Sequence, residues 1–168
     1  MIERIVIQKQ KEILSQEDIR NRIEIAYTEL IEKDQYLLEV DANERSITHR
    51  LAIYLEELFP KYDVDCEYNR NGIDPKKLNR LKKPIYSDDT FGTTVYPDVI
   101  IHHRGKKENL IVIEAKKTTS GDNSDKEKLR IYKKELLYKF AYFVRLPVGK
   151  KFKNDKSFSV QSFIEEIY

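Results

Sequence analysis

The stretch from Tyr96 to Lys117, YPDVIIHHRGKKENLIVIEAKK, restricts what this chain can fold into more than any other. Its two apolar runs, Val99 to Ile101 and Leu110 to Ile113, are near-continuous rather than alternating, as in strands covered on both faces inside an α/β domain. The charged turn between them is too short for a crossover helix, so the runs are expected to form an antiparallel hairpin. Charges stand at one end of each run, with Asp98 before the first and Glu114 and Lys116 after the second. A carboxylate at the edge of an apolar core costs several kcal/mol unless it takes up a proton or finds a partner. The hairpin therefore poses a question of charge as well as of fold.

A three-residue turn, Gly105 to Lys107, would pair Arg104 with Glu108. The same register sets Asp98 opposite Glu114, with Cβ atoms roughly 5 Å apart, and alternation adds Lys116 to that face. A slip of one residue would move one of the partners to the other face. Two carboxylates so close repel each other, so one binds a proton or a cation sits between them. A hard divalent ion such as Mg²⁺, with Mn²⁺ as a substitute, suits Asp98, Glu114 and the backbone carbonyl of Ala115 while keeping several waters. A lysine two residues beyond Glu114 can orient or activate one of those waters. Such an arrangement hydrolyses phosphodiesters.

The length of 168 residues fits a single domain, 1–168, able to bury a real core. No apolar run approaches the ~18 residues of a membrane span. The N-terminus MIERIVIQKQ lacks the apolar core and cleavage site of a secretory signal, so a cytoplasmic protein with no membrane partner is expected. One cysteine, Cys66, rules out an internal disulfide and is expected in the core; three histidines and no CxxC argue against zinc. The charge is uneven: Met1 to Pro60 holds 8 basic and 13 acidic residues, and the remainder 23 and 16. Within the basic part, Arg70 to Pro84 carries Arg70, Lys76, Lys77, Arg80, Lys82 and Lys83 against the single acid Asp74. A patch of this kind attracts phosphate, although a solvated loop has the same composition.

Ile19, Ile23, Ala26 and Leu30 recur at helical spacing, predicting a first helix over about 15–38. Ile47, Leu51, Leu55 and Leu58 predict a second from Glu44 to Phe59, stopped by Pro60. Asp63 to Arg70 alternates Val64, Cys66 and Tyr68 with polar residues, the pattern of a strand. Asn71 to Thr94 shows little periodicity and reads as a long loop, either disordered or functional as the cover of a ligand. After the hairpin, Ser124 and Glu127 suggest a capping box for a third helix with Leu129, Tyr132 and Leu136 facing inward. FAYFVRL predicts a fourth strand, and Val160, Phe163, Ile164 and Ile167 predict a C-terminal helix over about 158–168. The expected order is ααβββαβα.

The Pro97-Asp98 pair, the apolar hairpin and the strand-ending Glu114-Ala115-Lys116 together resemble the PD-(D/E)xK nuclease superfamily, which includes many restriction endonucleases and Holliday junction resolvases. The resemblance implies a restriction endonuclease-like αβββαβ core with a mixed central sheet over about residues 41–146, with extra helices at both ends. It implies a Mg²⁺-dependent nuclease in which Asp98 and Glu114 hold the metal and Lys116 acts on the attacking water. Some members add a glutamate from the preceding helix, and Glu44 is the match here. DNA is the expected partner, with Arg70, Lys76, Lys77, Arg80, Lys82, Lys83, Lys126 and Arg130 as the basic residues placed to meet it. Cutting both strands commonly takes two active sites, so a homodimer is compatible.

Plainer readings stand beside these. Asp98 can be a strand-start residue, Glu114 and Lys116 a same-face ion pair, and Glu44 the far end of a capping box opened by Asp41. Arg45 and His49 read as a solvated helix face, as do Lys126, Lys128 and Arg130. The rival to an enzyme is a catalytically silent nuclease-fold module that binds nucleic acid or a protein, since fold does not fix function. In a purely structural protein the basic segment would show no salt-dependent affinity for DNA.

Overall fold

Ser15 opens the first helix among the described residues by reciprocal bonding. Its hydroxyl accepts the Asp18 N–H at 3.1 Å, and the Asp18 carboxylate accepts the Ser15 N–H at 3.0 Å. The computed structural model describes residues 13–71, 74–75, 77–78, 93–94, 96–121, 123–150, 152 and 159–168, with side chains described outside 71–95 and 123. Helix α1 (Gln16–Lys33) ends sooner than its periodicity suggests, and α2 (Gln35–Glu39) follows after a break at Asp34. The reason is tertiary: the Asp34 carboxylate accepts bonds from Arg50 Nε at 2.9 and 3.0 Å and from the Tyr54 hydroxyl at 2.5 Å. Both partners lie on α3 (Glu44–Leu58). Asn43 caps α3, its side chain accepting the Arg45 N–H at 2.9 Å, so the Asp41–Glu44 capping box does not form.

Strand β1 (Asp63–Cys66) is shorter than expected because Glu67 takes up positive φ (48°), which turns the chain out of the sheet. Arg70 therefore leaves strand one and belongs to β2 (Arg70–Asn71), paired with β3 (Asp74–Pro75). A second ribbon joins β4 (Lys77–Leu78) to β5 (Thr93–Thr94), so the expected loop contains paired backbone. Lys76, Arg80, Lys82 and Lys83 lie outside the described residues.

The hairpin is β6 (Val99–His103) and β7 (Glu108–Lys117). Helix α4 (Asn123–Glu135) then crosses to β8 (Phe140–Leu146), which runs parallel to β7. Because α4 already includes Asn123, Ser124 lies inside the helix and does not open it as a cap. The expected C-terminal helix is instead a short 3-10 turn (Val160–Phe163) and β9 (Ile164–Glu166). β9 pairs antiparallel with the outer edge of β8, which satisfies that edge's backbone while Ile164 and Ile167 are buried. The result is an α/β fold with a five-stranded mixed sheet in the order β1-β6-β7-β8-β9, flanked by helices. Ile111, Ile113 and Ala115 pack toward α1 and α3, whereas Ile100 and Val112 pack toward Leu129, Tyr132 and Leu136. Among the described residues no helix is long and apolar enough to cross a membrane.

The register differs along the hairpin. Val99↔Ile113, Ile100↔Val112 and Ile101↔Ile111 follow the expected pairing, but beyond Ile101 the partners shift to His102↔Asn109 and His103↔Glu108. The turn has four residues, Arg104 to Lys107, with Gly105 at φ 74°, so Arg104 does not pair with Glu108. The bulge absorbs the extra residue, leaving the register at the Asp98 end unchanged.

Candidate active site

Pro97 leads the chain into β6, and Asp98 stands just before the ladder begins. Its carboxylate accepts the Ala115 N–H at 2.8 Å, and its carbonyl accepts the Glu67 N–H at 3.2 Å. In return the Asp98 N–H bonds to the Glu114 carboxylate. The ends of β6 and β7 are thus laced together by the two acids. In a strand a residue's N–H and C=O point to the same side, so the Ala115 carbonyl shares the edge of β7 that faces Asp98.

Glu114 is 5% exposed, and its Oε1 has no hydrogen-bond partner among the described residues. Burial first, and then the charge of Asp98, push its carboxyl up to about 8 against the opposing pull of Lys128, whose Nζ lies 3.9 Å away. Burial also raises Asp98, to about 6; the bond from Ala115 opposes this and the Glu44 charge adds to it. Below Glu114 on α4, burial, the charges of Glu114 and Asp98 and a hydrogen bond to Glu114 raise the Tyr132 phenol. Two neighbouring acids pushed upward hold a proton at neutral pH unless a cation replaces it.

Lys116 Nζ lies 3.7 Å from Glu44 Oε1 and 3.6 Å from Asp125 Oδ2. It is placed between α3 and α4 and is not paired with Glu114 as a same-face ion pair would be. Glu44 occupies the first turn of α3, where the helix dipole favours a carboxylate. Its Oε2 accepts the Lys117 N–H at 3.0 Å, so Glu44 binds the end of β7 instead of capping its own helix. Asp98, Glu114, Lys116 and Glu44 are therefore gathered at one end of the sheet. A cleft of about 660 Å³ opens beside them, lined by Glu44, Asp98, Glu114 and Lys128, with Arg45 and His49 along the α3 wall; Lys116 is not among its lining residues. Among the described residues, no three His, Cys, Asp or Glu side chains form a group that could hold a metal ion.

The remaining candidates are more scattered. Arg70 is exposed on its own ribbon, and Lys77 is placed by its backbone in β4, next to α4. Lys126 pairs with Glu165 at 2.7 Å and covers the Phe143 ring at 5.3 Å, while Arg130 pairs with Glu127 at 3.3 Å; neither lines the cleft. Cys66 is exposed in the cleft wall, not in the core, because β1 is an edge strand that ends there. Partial desolvation and the charges of Asp65, Asp98 and Glu67 push its thiol up to about 11.

Sequence reading missed Asp125 as part of the site and read Lys128 as solvated. The available signal was the stripe itself: Asp125 precedes Leu129 by four residues and Lys128 precedes Tyr132 by four, on the face that α4 buries. Asp125 is 5% exposed and bonds Lys128 Nζ at 2.7 Å. No family model, no curated protein and no solved structure matches this chain.

Proposed function

We propose that this protein is a Mg²⁺-dependent nuclease of the PD-(D/E)xK kind, with a restriction endonuclease-like core, that hydrolyses phosphodiester bonds in DNA. The observation that carries the reading is the Asp98–Glu114 pair: a half-buried and a buried acid that line one cleft, both raised, with Asp98 accepting the Ala115 N–H and Glu114 the Asp98 N–H. Their donor chemistry fits a hard cation, since one or two carboxylates, a carbonyl and retained waters make a Mg²⁺ site. The buried Oε1 of Glu114, unpartnered among the described residues, is an atom such an ion would satisfy. Asp98, Glu114 and the Ala115 carbonyl would hold Mg²⁺ or Mn²⁺, with Glu44 through a water, and the ion would stabilise charge developing on the phosphoryl oxygens.

The chain's own groups do the rest. Both contacts of Lys116 exceed hydrogen-bond length, so its ammonium donors remain available to a water or a phosphate oxygen. Lys116 orients the attacking water; its oxygen forms the new bond to phosphorus, one proton passes to solvent, and the departing sugar oxygen is protonated from water. Lys128 adds positive charge to the cleft. The basic ribbons that follow β1 are the proposed contact to the DNA backbone, and pairing of two copies would supply the second site for a double-strand cut.

Nicking of supercoiled plasmid tests the reading. Cutting with Mg²⁺ or Mn²⁺ is expected, with loss in EDTA and a fall of about 10²–10⁴-fold in Lys116→Ala and Asp98→Ala. No cutting of any DNA form, together with no metal binding, assigns the fold to a silent binding module.

A further inference from the structure

Asp125 is a buried carboxylate in the first turn of α4, where the helix dipole favours it. Lys128, at 2.7 Å from Oδ1, already meets the cost of burying one charge. The second oxygen does something else: Oδ2 faces Lys116 Nζ at 3.6 Å and so joins α4 to the end of β7. From the opposite layer, Glu44 Oε1 stands 3.7 Å from the same nitrogen. Lys116 is held between two carboxylates on separate helices, and neither is close enough to take up its donors in a short bond.

We propose that Asp125 is a positioning residue: its carboxylate holds the Lys116 ammonium between α3 and α4, in the orientation from which it meets the attacking water. This rests on the nuclease reading given above. Without Asp125, Lys116 would be drawn to Glu44 alone, away from α4, while Lys128 would lose its 2.7 Å partner and turn toward Glu114 or solvent. An ångström-scale misplacement of a reacting group is enough to cost about 10²-fold in rate.

The test combines Asp125→Asn, with Asp125→Ser as a second variant should the first not fold, with kinetics and lysine labelling. In the wild type, reductive methylation read by mass spectrometry should modify Lys116 more slowly than the exposed Lys106. In a folded variant, Lys116 labelling should accelerate, kcat should fall about 10²-fold with KM changed much less, and the substitution should cost nothing further in a Lys116→Ala background. Equal labelling of Lys116 and Lys106 in the wild type, unchanged labelling in the variant, or an equal loss of kcat in both backgrounds would overturn the proposal. A wild type that cuts no DNA would instead defeat the nuclease reading, and with it the catalytic part of the proposal; labelling would still decide whether Asp125 holds Lys116.

Discussion

The two ends of one hairpin handle buried charge in opposite ways. Toward the turn, Asp65 on β1 is matched on all sides: His102 Nε2 lies 2.8 Å from Oδ2, and Arg104 donates through Nε at 2.8 Å and Nη2 at 2.5 Å. Burial alone would raise the Asp65 carboxyl, but those bonds outweigh it and keep it below the usual carboxylate range. At the other end, Asp98 and Glu114 are both raised, and one Glu114 oxygen has no hydrogen-bond partner among the described residues. Both clusters border the same sheet, so the contrast is not one of fold. A cluster that satisfies itself stabilises the chain, and one left unsatisfied at a cleft is prepared to take something from outside. This also explains why His102, 1% exposed and engaged with Asp65, serves the structure.

The sharpest way to break the comparison is at the matched end. Asp65→Ala leaves Arg104 and the buried His102 without their carboxylate, and should destabilise the protein by about 2–3 kcal/mol in urea unfolding, Arg104 being partly solvated. Plasmid cutting under native conditions should persist; loss of cutting without loss of stability would mean that the two ends are not separate in role. At the other end the sign should reverse. Asp98 and Glu114 titrate at about 6 and about 8 in the folded chain against ordinary values of 3.8 and 4.5, so the folded state binds more protons than the unfolded one. The stability linked to them is complete below about pH 4 and is lost as pH rises through 6 and 8. Glu114→Gln should therefore raise the stability of metal-free protein by about 1–3 kcal/mol at pH 8 and change little at pH 5. A variant less stable than wild type at pH 8 would show that the Glu114 carboxylate is satisfied after all.

The smallest expected effect is that of the metal. Under the proposed reading Mg²⁺ would compete with the proton held by the acid pair, so its stabilisation should grow from pH 5.5 to 8, as far as pH controls deprotonation. At ten times the dissociation constant it amounts to about 1.4 kcal/mol, or a Tm increase of about 3–6 °C. Equal shifts at both pH values, or none, would place any bound ion away from Asp98 and Glu114.

Much of this was legible in the sequence because it depended on local pattern. The buried runs of the hairpin, the α3 stripe from Ile47 to Leu58 and FAYFVRL each carried their own period, and α3 and β8 formed close to where those periods put them. Asp98, Glu114 and Lys116 could be put on one face because pairing near the site depends only on alternation and register. Two elements that differed have partners far along the chain. Asp34 ends α1 because Arg50 and Tyr54 take its carboxylate, and Ile164 to Glu166 form a strand because β8 offers an open edge. The apolar spacing of the tail suits a helix, but spacing does not record an unpaired backbone edge waiting in the sheet.

The sequence by itself determined the α/β class, the buried hairpin and the clustering of acids and a lysine at one of its ends, because these follow from side-chain periods and residue chemistry. Only the tertiary structure decided that Glu44 binds the end of β7, that Asp125 and Lys128 belong to the site, and that Asp65 is satisfied while Glu114 is not. Whether a buried charge is matched depends on which distant groups come within about 4 Å of it, and packing of the layers sets those distances.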